Sequence, residues 1–158
     1  MLFSRIVTAM HQQIVNNYLG MWNGNYSLLP ETLHPQVHLY QDRIPTDQGT
    51  ILLPIQTSED FRGFIQRARE GWNEYRFELL NYAADQHNIV LRWKLNAVMG
   101  PDFPPRIPTT KKDGDYITYN GTDFLQLDPC SWLVNQVDSA QDFLALFHSL
   151  GIPFLKVI

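Results

Sequence analysis

The run from Glu74 to Ala97 constrains the chain more than any other stretch. Its second half, Ile89-Val90-Leu91-Arg92-Trp93-Lys94-Leu95-Asn96-Ala97, alternates with a period of two. That places Ile89, Leu91, Trp93, Leu95 and Ala97 on one side of a long strand. The first half, Tyr75 to Tyr82, carries aromatic and branched residues in looser alternation, and Asp85-Gln86-His87-Asn88 between the halves is polar and turn-like. The two halves predict an antiparallel hairpin with one apolar face. Such a face must be covered, because apolar area left in water forgoes the main driving force of folding.

Segments on both sides can provide the cover. Phe3, Ile6, Met10, Ile14, Tyr18 and Met21 recur every three or four residues, predicting a helix from about Leu2 to Trp22 that Asn23-Gly24-Asn25 stops. Ser27 to His34 reads as a short helical turn bounded by Pro35, Val37 to Gln41 as a strand, and Asp42 to Pro54 as a loop. A second helix opens at Thr57 or Ser58 with Asp60 completing a capping box, and buries Phe61, Phe64, Ile65, Ala68 and Trp72. After the hairpin, the proline-rich Gly100 to Asp115 predicts an irregular rim or lid. Tyr116 to Leu127 and Ser131 to Val137 read as strands. Ser139 with Asp142 predicts another capping box, for a closing helix through Phe143, Leu146, Phe147 and Leu150 that Gly151 and Pro153 end. The class is α+β, in one domain over residues 1–158.

Bulk properties narrow the function. With 158 residues, 44% hydrophobic and 18% charged, the chain can build a real core. A net charge of -4 argues against a nucleic-acid surface, which needs a basic stripe. The polar residues Ser4, Arg5, His11, Gln12 and Gln13 break any signal-peptide run, and no stretch reaches the roughly 18 apolar residues of a membrane span. A single cysteine, Cys130, rules out an internal disulfide framework and fits a reducing, cytoplasmic setting. The five histidines are scattered, and neither a phosphate loop nor a nucleophile elbow is present. The aromatic share of 13% suits a pocket for an apolar or ring-bearing ligand as well as a core.

The order and spacing of several segments resemble the SnoaL-like polyketide-cyclase branch of the nuclear transport factor 2-like superfamily. They are Tyr18-Leu19-Gly20-Met21-Trp22-Asn23-Gly24-Asn25, Leu33-His34-Pro35-Gln36-Val37, Ile89-Val90-Leu91-Arg92-Trp93 and Gly121-Thr122-Asp123-Phe124. Trp132 leading to Asp138 follows, and Leu146-Phe147-His148-Ser149-Leu150-Gly151 closes the series. The resemblance implies a cone: a curved, mostly antiparallel sheet wrapped on three helices around an internal pocket. It also implies homodimerisation through the outer sheet face and chemistry without a cofactor.

Strand parity sorts the candidate site residues. His38, Tyr40 and Asp42 share one side of the first strand; Val37, Leu39 and Gln41 share the other. Tyr40-Gln41-Asp42 resembles the Tyr-x-Asn with which limonene-epoxide-hydrolase-type members hold a water. That match aims Tyr40 and Asp42 into the cone, as oxyanion donor and general base, with His38 in either role. The competing reading turns Leu39 inward and leaves the three polar residues solvated. Arg92 and Lys94 fall on the face opposite Trp93. SnoaL-like cyclases place a catalytic acid on the last strand after a Trp. Here Asp138 lies further from Trp132 than the usual spacing and Asn135 nearer the expected place, and Asp138 also suits a helix start. Tyr18, Trp22, Trp93, Tyr119, Asp123 and Asn135 complete the expected substrate-binding set.

The expectation is a cofactor-independent cyclase or isomerase acting by general acid–base catalysis on an apolar polycyclic natural-product intermediate. Tyr40, Asp42, His38 and Asp138 are its expected catalytic groups. A dehydratase or epoxide hydrolase on a similar substrate, or a non-catalytic binding module, are the alternatives. A hydrogen-bonded His, Tyr and Asp on the inner wall of Val37 to Asp42 would favour the enzyme; an all-apolar wall would favour the module.

Overall fold

The computed structural model describes residues 2–41, 51–104 and 109–152, with side chains excepted at 2–4 and 51–52. Helix α1 (Leu2–Trp22) buries Ile14, Tyr18 and Met21 of the predicted stripe, together with Val15 and Leu19. A 3-10 turn (Tyr26–Leu28) and a one-turn helix α2 (Leu29–Thr32) lead into β1 (Leu33–Gln41). The two-residue strand β2 (Ile51–Leu52) pairs antiparallel with β1. Helix α3 (Ser58–Ala68) carries the expected capping box: Thr57 Oγ1 accepts from Asp60 N while the Asp60 carboxylate accepts from Thr57 N.

The hairpin forms as read. Strands β3 (Trp72–Asp85) and β4 (Asn88–Met99) join through the two-residue turn Gln86-His87, and every odd residue of β4 from Ile89 to Met99 is buried. The looser alternation of β3 has a cause. Leu80 is an extra residue between the Leu79–Trp93 and Asn81–Arg92 pairs, so inward parity passes from Leu79 to Tyr82 across a bulge. Strands β5 (Tyr116–Leu127) and β6 (Val134–Gln141) follow, then helix α4 (Phe143–Ser149). The curved, open sheet has the order β2-β1-β6-β5-β4-β3, antiparallel except for the β1–β6 pair.

The end of the chain departs from the sequence reading. Strand β6 starts at Val134, not Ser131, and runs through Gln141, so Ser139 is a strand residue and not a helix cap. Asp142 alone caps α4, accepting from Ala145 N. Two polar brackets fix the end of α1 over the sheet. The Asn23 side chain donates to Phe77 O (3.0 Å) and accepts from Phe77 N (2.7 Å), mimicking a strand partner. Arg69 Nη1 donates to both Trp22 O (3.0 Å) and Tyr75 O (2.8 Å), tying α3 to α1 and β3. Together they set Tyr18 and Trp22 against the inner face of the sheet.

Candidate active site

Two adjoining cavities open between the inner sheet face and the helices. The outer one, of about 300 Å³, is lined by Trp72, Tyr75, Leu95, Phe103, Tyr119 and Leu146, among others. The inner one, of about 120 Å³, shares Ala68, Tyr75 and Tyr119 with it and reaches down to Tyr18, Trp22, Gln41, Trp93, Asp123 and Ser139. Phe103 and Pro104, from the proline-rich connection, form part of the rim.

Sheet register explains what meets at the floor. Leu91, Asp123, Ser139 and Gln41 stand in one row across β4, β5, β6 and β1, all with the same inward parity. In the next row, Trp93 lies over Gly121, where a Cβ would come within 2.1 Å of the indole. Any other residue there would displace the ring. Trp93 also meets Phe77 (4.9 Å between centroids) and Tyr119 (5.5 Å) edge-on, while Trp22 packs on Phe77 at 5.3 Å. The walls are therefore aromatic on three strands and a helix.

Asp123 is 3% exposed and is held by two hydroxyls. Tyr18 Oη donates to Oδ2 at 2.8 Å and Ser139 Oγ to Oδ1 at 2.6 Å. Burial raises the Asp123 pKa above the ordinary carboxylate value, while the bonds from Ser139 and Tyr18 and the nearby Trp93 act the other way. Burial first and the Asp123 charge second push the Tyr18 hydroxyl well up, so Tyr18 stays protonated as a donor. Tyr119, likewise raised by burial, donates to Gln141 Oε1 at 3.1 Å.

The indole nitrogens of Trp22 and Trp93 are both buried, and neither makes a hydrogen bond of good geometry. Each nonetheless lies within weak hydrogen-bonding reach of the floor, Trp22 of the Tyr18 hydroxyl and Trp93 of the Asp123 carboxylate, and acts to lower the pKa of that group. Two donors thus flank the Tyr18–Asp123 bond without a well-formed hydrogen bond of their own among the described residues.

The residues expected at the site divide cleanly. Tyr18, Trp22, Trp93, Tyr119 and Asp123 converge on the inner cavity. His38, Tyr40 and Asp138 do not. The buried residues of β1 are Leu33, Val37, Leu39 and Gln41, and the alternation from Val37 onward places His38 and Tyr40 on the outer sheet face. Asp138 pairs in register with Tyr40 on that same face and accepts from Gln136 Nε2 at 3.0 Å. The inward reading of His38 and Tyr40 is thereby corrected, for the plain reason that alternation buries the two apolar residues beside them. His38 Nδ1 is buried there without a partner among the described residues. Asp42 lies outside the described residues. Asn135 has no register partner on either neighbouring strand and lines neither cavity; it is the bulge that turns both Val134 and Val137 inward.

Trp132 is not on a strand. It sits in a turn with φ of 61° against His87 and His11, lining a separate cavity at the hairpin turn. The inner wall of β1 is neither of the anticipated outcomes: it is apolar up to Gln41, and the ionisable group comes from β5 instead. Gln41, Ser139 and Gln141 are site residues that the sequence reading did not select. Among the described residues, no group of three or more His, Cys, Asp or Glu is placed to hold a metal ion.

This architecture matches proteins of known fold. A family model described as a SnoaL-like domain matches residues 15–130. The chain belongs to the SnoaL-like family. Among solved structures it is similar to TsrD from Streptomyces laurentii, at 21% identity over 90% of this chain and 96% of that one, with a TM-score of 0.68. IdmH from Streptomyces antibioticus, a candidate polyketide cyclase, gives 11% identity over 90% and 99% of the two chains and a TM-score of 0.70. An epoxide hydrolase of the LEH-like type from M. tuberculosis gives 9% identity over 90% and 85%, with a TM-score of 0.60. At these identities the structural likeness establishes the fold of this SnoaL-like chain. No curated protein matches its sequence.

Proposed function

We propose that this SnoaL-like protein is a cofactor-independent cyclase or isomerase that moves a proton on a largely apolar, oxygenated polycyclic substrate, with Asp123 as its acid–base group. The observation that carries the reading is a carboxyl at the floor of an aromatic cavity, gripped by Tyr18 and Ser139. Each carboxylate oxygen accepts one hydroxyl and keeps further lone-pair capacity for a proton from the substrate. Burial makes that proton worth holding, and the two hydroxyls keep the anion from being prohibitively costly. Asp123 is thus poised to take a proton from carbon and return it elsewhere, the exchange that ring closure and isomerisation share. The named neighbours include a candidate polyketide cyclase, which supports the substrate class. Epoxide opening is a second reading, supported by the epoxide hydrolase neighbour and by polar groups enough at the floor to hold a water.

The same reading carries homodimerisation through the outer sheet face, where Val90 and Tyr116 are exposed, and a reducing, cytoplasmic setting for the free, exposed Cys130. No described helix is long and apolar enough to cross a membrane. The direct test is exchange of an acidic carbon-bound proton. 2-Tetralone, a bicyclic ketone with an activated α-carbon, is incubated with the protein in deuterated buffer and followed by NMR. Accelerated exchange that Asp123→Asn abolishes is the expected result; exchange equal in the two proteins removes Asp123 from the chemistry.

A further inference from the structure

Taking a proton from carbon next to a carbonyl leaves its electron pair on the substrate. The C–H bond breaks, the proton goes to an Asp123 oxygen, a C=C bond forms and the carbonyl π pair moves onto oxygen as an enolate. That oxygen needs donors that are preorganised and hold no other partner. The floor of the inner cavity has two. Trp22 reaches it from the end of α1 and Trp93 from the middle of β4, and both indole N–H groups are buried without a well-formed hydrogen bond among the described residues, in only weak reach of the Tyr18 hydroxyl and the Asp123 carboxylate. An orphaned buried donor costs stability that a protein ordinarily avoids by pairing it. Here two stand beside the same 2.8 Å Tyr18–Asp123 bond, each packed on Phe77, Trp93 edge-on and Trp22 tilted.

Four of the other groups at the floor are already engaged. Tyr18 and Ser139 are committed to Asp123, and Tyr119 and Gln141 to each other. We infer that Trp22 and Trp93 form an oxygen-binding pair for the substrate, their indole N–H groups receiving the carbonyl oxygen of a flat cyclic ketone and stabilising its enolate while Asp123 holds the abstracted proton. The inference rests on the proton-transfer reading of Asp123 and narrows its substrate class to planar ring ketones with an acidic α-hydrogen. Protonation of Asp123 in the same step removes a negative charge that would repel the enolate there. The aromatic walls accept the rest of such a ring system by stacking.

The test uses two probes of the same outline. 2-Naphthol has the ring shape and oxygen position of the enol of 2-tetralone, and naphthalene lacks only the oxygen. Equilibrium binding of both to the full chain is measured by ligand fluorescence, which also reports ionisation of bound naphthol. The unmodified protein is expected to bind 2-naphthol at least tenfold more tightly than naphthalene, with an enriched naphtholate signal. Trp22→Phe and Trp93→Phe keep a ring in place and remove the donor. Each should weaken 2-naphthol by about tenfold or more and slow 2-tetralone exchange by about 10²-fold, with naphthalene unchanged.

Equal affinity for the two probes in the unmodified protein overturns the pair, whatever the variants do. So does an equal loss of both probes in the variants, which would make the indoles packing groups only. Asp123→Asn separates the two readings because it leaves both indoles in place. Exchange that survives in Asp123→Asn, alongside preferential naphthol binding, sinks the base and keeps the pair. Exchange lost in Asp123→Asn without naphthol preference does the reverse.

Discussion

The two faces of the sheet at β1 and β6 hold the same kinds of side chain in opposite circumstances. On the inner face, Ser139 and Gln41 stand beside Asp123, which is 3% exposed, bonded to two hydroxyls and without a salt bridge among the described residues. One residue along each strand, on the outer face, Asp138 and Tyr40 stand together half-buried, and Asp138 is bonded to Gln136. Both faces offer a carboxylate and a tyrosine close together. Only the inner pair is shut away from water, and there burial raises the carboxyl's affinity for a proton. Chemistry follows the side of the strand a residue points to more than its type.

The largest effect expected from this contrast is on turnover. Asp123→Asn should lower 2-tetralone exchange by about 10³-fold, while Asp138→Asn changes it less than about threefold. The comparison breaks if the two substitutions act alike. The pH dependence sharpens it. Because burial raises the folded-state pKa of Asp123 above its ordinary 3.8, the folded protein binds that proton more tightly than the unfolded chain. Its contribution to stability is therefore complete below the unfolded value and is lost as pH rises through the raised folded value. Tm measured across pH should show Asp123→Asn gaining on the unmodified protein as pH increases. A constant difference between them would contradict the buried-carboxyl account.

Next in size is Gly121→Ala. The added Cβ would sit 2.1 Å from Cζ2 of Trp93, deep in the sheet with the aromatic wall behind the ring. Overpacking of this kind costs about 1–3 kcal/mol or more, read as a lower urea midpoint. The same change on the outer-face neighbour, Thr122→Ala, should cost less than about 1 kcal/mol.

Much of this fold was legible because hydrophobic period is a local property. The β4 alternation, the α1 stripe and the Thr57–Asp60 capping box each need only a few neighbouring residues to be read. The site was legible only where a strand kept its period. Tyr18, Trp93, Tyr119 and Asp123 sit on uninterrupted elements, and each lines the inner cavity. On β6 the bulge at Asn135 shifts the parity of everything before it, so spacing measured from Trp132 does not tell which face Asp138 takes. Counting from Val137 instead leads to Ser139 and Gln141, both of which line the cavity. Ser139 with Asp142 carries the Ser-x-x-Asp signature of a helix cap, but its hydroxyl serves Asp123 and Asp142 caps α4 alone. On β1 the polar triplet drew attention from Val37 and Leu39, whose burial decides the orientation.

Ser139→Ala is the intermediate case, removing one donor from a buried carboxylate while leaving Tyr18. Its bond lowers the Asp123 pKa, so its loss should raise that pKa further and shift the rising limb of the exchange profile to higher pH. The accompanying loss of stability should be about 1–3 kcal/mol at neutral pH and smaller in acid, where Asp123 is protonated. An unmoved profile would mean that Ser139 does not tune the carboxyl.

The smallest effect expected is the most discriminating. Tyr40→Phe removes a hydroxyl from the outer face, where the ring is half-buried beside Asp138 and keeps its packing. Nothing at the floor of the cavity touches it, since Gln41 is the β1 residue that faces Ser139 and Asp123. Stability should change by about 0.5 kcal/mol or less, and 2-tetralone exchange by less than about twofold. Tyr18→Phe is the matched change on the inner face. It strips a donor from a buried carboxylate, so its cost should exceed that of Tyr40→Phe by about 1–2 kcal/mol, with exchange falling as well. If the two tyrosines proved interchangeable in this respect, alternation across the sheet would not be what separates chemistry from surface in this molecule.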